Sequence, residues 1–190
     1  MIPADLKEEV SIELDSMERM VLELQNLHQD VSGREPSVRA KTAAAAFIAQ
    51  FYSGVENILK RISRSEGVSL PTGETWHIGL FLRFCNPSCA PLPELFDADL
   101  KTKLATYRKF RHGFHHGYGF QLDWERMTEG IQSIGEVHRM FRSGDCSVCA
   151  TPGDQPSNSP GFIPGELSGT LVCSRTNLTI PRSEFREIRS

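Results

Sequence analysis

Three of the six histidines in this chain, His112, His115 and His116, stand within five residues of one another, directly behind Arg111. An imidazole with an ordinary pKa near ~6.5 can take or give a proton at neutral pH. A guanidinium presents a rigid fork of N–H donors that matches phosphate oxygens. Breaking a phosphodiester through a neighbouring ribose 2′-hydroxyl needs a base for that hydroxyl, an acid for the leaving oxygen and a cation for the phosphorane. Arginine and histidine together can supply all three without a metal. Between Asp99 and Asp123 there are five Lys/Arg and no acid, so the stretch is a positive patch in a chain of net charge −3.

Other readings compete with that one. The histidines can simply form a solvated polar helix face. His112 and His116 are also spaced i, i+4, which puts both on one face of a helix and allows metal binding. No Asp or Glu within the stretch completes a ligand set. Arg111 is informative for another reason. The apolar stripe Leu100, Leu104, Tyr107 steps next to position 111 and resumes at Phe114 and Tyr118. A charge on a core-facing seam is costly unless it is paired or lines a polar cleft. Three accounts stand open: an internal ion pair, with Glu56 or an acid of the first helix; a functional site; or a helix rotation that exposes Arg111.

The elements that must position these residues are helical. Over residues 4–31, Val10, Leu14, Met17, Val21, Leu24 and His28 step by four and three, the period of a packed helix pair. The first thirty residues carry eight Asp/Glu against two Lys/Arg. Ser32, Gly33 and Pro36 end that helix. Residues 37–64 predict a second helix, with Ala44, Phe47, Phe51, Val55, Ile58 and Ile62 on its apolar face and basic flanks. A short apolar helix is expected over 75–85, followed by a proline-rich loop through Pro93. A fourth helix is expected over 97–118, with Asp97 as its N-cap. A fifth is expected over 123–141. The fold class is therefore all-α, an antiparallel bundle of about five helices. The domain division is 1–141 for the bundle and 142–190 for a tail. Ser, Pro and Gly supply 18 of the 49 tail residues, which predicts disorder, with Leu171-Val172-Cys173 as a short strand at most.

Composition limits the classes of function. With 190 residues, 39% hydrophobic and 24% charged, the chain is one domain with an appendage. A pI near 6.1 argues against a strongly basic coat for nucleic acid. No apolar run approaches ~18 residues, so no membrane span is expected. The acidic N-terminus has no signal-peptide character, which predicts a cytoplasmic protein. Five cysteines are present; Cys146-x2-Cys149 with Cys85-x3-Cys89 is the weak alternative of a zinc site. Asn177-Leu178-Thr179 reads as a chance match to a glycosylation acceptor.

Arg111-His112-xxx-His116-Gly117-Tyr118 resembles the signature of HEPN-domain ribonucleases, and its His-x-Tyr ending is similar to the HepT subgroup of toxins. Three flanking blocks add to the likeness: Phe51 to Ile62, the stretch from Leu70-Pro71 to Trp76-His77, and Tyr118 to Arg126. The resemblance covers about residues 5–141. It implies that Arg111 holds the scissile phosphate and that His116 is the general base or acid. It also implies that His112, in the polar position after Arg111, orients substrate. His115 is an additional histidine that the family often replaces, and it stands with the substrate-binding or orienting residues. Glu56, next to the Phe51/Val55 face of the second helix, is read from its position as an orienting partner of Arg111 or His116, or as a surface salt bridge. The family's chemistry needs no cofactor and no metal. Its members dimerise so that two motifs form one cleft. That would help here, because positions 111 and 116 diverge by about 140° on an ideal helix.

Tyr118 matches the tyrosine that a nucleotidyltransferase antitoxin adenylylates in HepT–MntA pairs; its plain reading is a core aromatic. The family's last helix usually runs further than Phe141, so the Ser/Pro/Gly-rich sequence here predicts a truncated one. The expected function is thus an endoribonuclease toxin of a toxin–antitoxin pair acting on RNA. The alternatives are a non-catalytic HEPN-type module that binds a nucleotide, RNA or a partner, and a purely structural bundle.

Overall fold

A computed structural model describes residues 4–85, 88–115 and 122–149, with 144–149 as backbone only. All lie within one compact unit, Met1–Gln155. Five helices follow one another among the described residues: α1 Ala4–Asp30, α2 Val38–Ser65, α3 Trp76–Leu82, α4 Ala98–His115 and α5 Trp124–Cys149. They form the antiparallel all-α bundle that the hydrophobic periodicity predicts.

The α1 stripe is buried from Val10 through Leu14, Met17 and Val21 to Leu24 as expected; Leu6 extends it, and His28, the last expected member, is only half-buried. Helix α1 runs antiparallel to α2. Arg61 pairs with Glu9 and Glu13, Asn57 donates to Glu13, and Gly54 faces Met17, so rising numbers in one helix meet falling numbers in the other. The acidic character of α1 is thus answered in part by α2. Helix α5 also lies antiparallel on α1. His138 Nε2 sits 3.3 Å from the Leu14 carbonyl, and Gly135 approaches Val21 and Gln25. Burial lowers the pKa of His138. Helices α4 and α5 are joined by Lys103–Glu136 at 2.7 Å and by Tyr107, whose hydroxyl donates to the Gly130 carbonyl at 2.7 Å.

Three helix starts are capped: Asp97 as the sequence predicts, Asp123 at the expected start of the fifth helix, and Ser37, which the sequence placed inside the second helix. Ser37 accepts from Ala40 N, Asp97 from Leu100 N, and Asp123 from Glu125 N and Arg126 N. Each short side-chain oxygen satisfies N–H groups that a helix leaves without partners in its first turn. Beyond the end of α2, Gly67 takes a φ of 68°, a conformation open to glycine at little cost.

Two helix ends differ from expectation. The helix expected over 75–85 stops at Leu82, because the Phe84 carbonyl accepts from Leu95 N and Phe96 N while Cys85 bridges to Phe96. Phe81 stacks on Phe96 at 4.9 Å, which in turn approaches Phe141 at 5.9 Å. These contacts tie α3 to the loop and to α5. The last helix does not stop at Phe141 but continues to Cys149. Arg142, the first residue past the expected end, pairs with Asp15 and Glu18 and fastens that turn to α1. The sequences expected to finish α4 (His116, Gly117, Tyr118) and the strand at Leu171–Cys173 lie outside the described residues. No described helix is long and apolar enough to cross a membrane.

A Cβ on Gly54 would meet Met17 Cγ at 2.6 Å and Sδ at 2.7 Å, within a fully buried contact of α1 with α2. Gly54→Val is expected to destabilise the bundle by about 1–3 kcal/mol through overpacking. Denaturant unfolding measures this; an unchanged midpoint would contradict the close approach of the two helices.

Candidate functional site

Helix α4 buries Leu100, Leu104 and Tyr107 and then presents Arg111 at the next position of the same seam. The seam faces α2, where Phe51 packs edge-on against Tyr107 at 5.3 Å. One turn further, Arg111 Nη2 lies 3.1 Å from Glu56 Oε2; the Glu56 side chain is 1% exposed and that of Arg111 22%. Arg111 Nε donates to Ser53 Oγ at 3.0 Å, and the Ser53 hydroxyl donates to the Ala49 carbonyl at 3.0 Å. Of the accounts open for Arg111, the geometry is that of the ion pair, and the acid is Glu56 rather than one from α1.

Neither carboxylate oxygen of Glu56 makes a well-aligned hydrogen bond, so the pair is held by charge proximity. Arg111 is anchored directionally through Nε alone among its described bonds and keeps solvent access. Burial pushes the Glu56 carboxyl above its ordinary range, and the nearby cations Arg111 and Lys60 offset part of that rise. Burial likewise lowers the Lys60 pKa, with Glu56 opposing and Arg111 and Arg64 adding to the fall. Tyr52 is fully buried close to these charges. Its hydroxyl has no hydrogen-bond partner, and burial raises its pKa strongly. The locus therefore holds two cations around one reluctant carboxylate.

The histidines separate. His112 is exposed and stacks on His77 of α3, with ring centroids 5.4 Å apart and planes 25° from parallel. Trp76 meets His77 edge-on, and Lys60 Nζ lies 4.5 Å over the Trp76 ring. Arg108 lies over Phe81 at 5.1 Å. His115 is exposed and packs edge-on against its neighbour Phe114. His116 and Tyr118 lie outside the described residues. Cys85 is buried and Cys89 partly so; the side chains of Cys146 and Cys149 are outside the description. Among the described residues no group of three or more His, Cys, Asp or Glu could hold a metal ion.

The structure brings Arg111, Glu56 and Ser53 together, and His112 to His77. Ser53 and His77 are the residues that sequence reasoning did not single out. Ser53 had a readable signal, since it stands three residues before Glu56 on one helix face. His77 had none beyond its place in a conspicuous block, because only packing of α3 against α4 reveals its partner.

An antiparallel five-helix bundle, whose fourth helix holds an arginine over a buried glutamate of the second, is the class that fold and site define. A family model described as HepT-like protein matches residues 43–144, more than half of the chain, and the chain belongs to that family. The match includes Ser53, Glu56, His77 and the whole Arg111–His116 stretch. No curated protein and no solved structure matches the chain.

The raised Glu56 pKa has a thermodynamic sign. The folded state holds the proton more tightly than the unfolded state. Stability from this group is therefore full below the ordinary value of 4.5 and is lost as pH rises through the folded value. Glu56→Gln removes that loss. The difference in unfolding free energy between variant and wild type is expected to move in the variant's favour as pH rises from 4.5 toward neutral. Denaturant titrations across that range measure it, and parallel curves would contradict the assignment.

Proposed function

We propose that this protein is a metal-independent endoribonuclease toxin of a HepT–MntA-type toxin–antitoxin pair, working in the cytoplasm on RNA. The observation that carries this reading is Arg111, a partly exposed guanidinium held on a core-facing seam by Glu56 and Ser53 in a chain of the HepT-like family. A cation fixed in this way is preorganised for a phosphate and costs little reorganisation when charge develops on the phosphorane.

In this reading Arg111 holds the scissile phosphate. His116 takes the proton from the ribose 2′-hydroxyl or delivers one to the leaving 5′-oxygen. The 2′-oxygen bonds to phosphorus, the P–O5′ bond breaks, and a 2′,3′-cyclic phosphate remains. His112 and His115 bind or orient the strand. Two copies of the chain, associating through these helices, would supply both an acid and a base to one cleft. The working unit is the helical domain, expected over residues 1–141 and carried on to Cys149 by α5, with the remaining chain as an appendage. The partner is a nucleotidyltransferase antitoxin that adenylylates Tyr118. The added phosphate would place negative charge in the stretch that follows Arg111 and compete with RNA for it.

The second reading is a non-catalytic RNA- or partner-binding module, and the ion pair itself favours it, since Arg111 already has a counter-charge. Inducible expression in bacteria separates the two. Wild type is expected to stop growth and fragment cellular RNA, while His116→Ala and Arg111→Ala, expressed to equal soluble levels, do neither. A soluble, folded wild type that leaves growth and RNA intact would overturn the toxin reading in favour of the binding module.

A further inference from the structure

The His77–His112 pair is not accounted for by the phosphate chemistry above. Its two rings lie face to face, and its members are unequally exposed: His112 is exposed and His77 half-buried. The pair therefore has an inner and an outer ring. The inner ring is braced by Trp76, whose plane meets it at 84° with centroids 5.9 Å apart. Trp76 is held in turn under the Lys60 ammonium. The outer ring belongs to the residue directly after Arg111, so it is carried on the same helical turn as the guanidinium.

A helix contact made only for stability has no need of two polar rings at a solvent-facing edge, where apolar side chains would bury more area. An aromatic ring backed by a second ring and beside a cation is what single-stranded nucleic acids use, because every base has a π-face and the backbone seeks positive charge. Lys60 and Arg111 share one carboxylate, Glu56, which leaves the locality positive. Stacking of this kind requires a base that is out of a duplex.

We propose that His77 and His112 form a stacking platform for the nucleobase that adjoins the phosphate held by Arg111, with His77 as the positioning residue that backs the outer ring. This rests on the ribonuclease reading for its ligand, and the experiment is chosen so that the two can fail separately. The platform acts through ring area, so His77→Phe keeps it and His77→Ala removes it. A proton-transfer role for His77 predicts the reverse for phenylalanine.

The test uses the full chain and a fluorescent pentanucleotide of 2′-O-methyl RNA, which cannot undergo 2′-oxygen attack. Binding is read by anisotropy in EDTA, with each nucleotide in turn made abasic. For wild type, one abasic position is expected to weaken binding about ten-fold. His77→Ala is expected to bind the intact strand about ten-fold more weakly and to lose sensitivity to that position. His77→Phe, with an unchanged melting temperature, is expected to match wild type. Equal binding of all abasic strands to wild type, or full abasic sensitivity in His77→Ala, overturns the platform. Unmodified RNA run in parallel reports cleavage, so a failure of the ribonuclease reading shows there while the anisotropy still decides on the platform.

Discussion

A guanidinium set on the core-facing seam of a helix must find a counter-charge, and Glu56, 1% exposed, is the group that provides it. The two ions depend on each other unequally. Without Arg111, the buried Glu56 carboxylate would keep only Lys60 as a nearby cation and would take up a proton more readily. Without Glu56, Arg111 would still reach water and Ser53. Burial already raises the Glu56 pKa even with two cations close by, so the carboxylate is the strained member. The arginine is the member with latitude to serve a ligand.

The rest of the bundle holds that pair in register. Phe51 against Tyr107 fixes α4 on α2 one turn before the ion pair, and the Tyr107 hydroxyl reaches across to Gly130 of α5. Burial pushes the Tyr107 pKa up to about 12, so this hydroxyl stays a donor at any ordinary pH. Helix α1 contributes nothing directly to the site. It buries one side of α2 and carries the acids that pair with Arg61 and Arg142. Helix α3, seven residues long, is too short to be stable alone. It is held through Phe81 on Phe96 and through Trp76 under Lys60, and it delivers His77 to His112.

Much of this was legible in the sequence, and the boundary of legibility is physical. The stripes of α1 and α2 are local patterns, and they landed inward. The cap at Asp97 and the helix start at Asp123 are local chemistry, and they formed. The break at Arg111 showed that a charge had entered a seam, and Glu56 was among the acids that could meet it. What sequence could not decide was settled by distant contacts. The end of α3 depends on the Phe84 carbonyl meeting Leu95 and Phe96, and the extension of α5 depends on Arg142 meeting acids more than a hundred residues earlier. His77 needed a partner from another helix to become visible, and the ring of His115 meets its neighbour Phe114.

The central claim is that Arg111 stabilises a phosphorane formed by the RNA's own 2′-hydroxyl. The most direct measurement is product-end analysis of a labelled single-stranded RNA incubated with purified protein in EDTA, comparing wild type with Arg111→Lys. The account predicts 2′,3′-cyclic phosphate and 5′-hydroxyl ends from wild type. It predicts a rate lower by on the order of 100-fold for the lysine variant, which keeps the charge and loses the fork. Ends bearing 3′-hydroxyl and 5′-phosphate, or a lysine variant that cuts as fast as wild type, would contradict it.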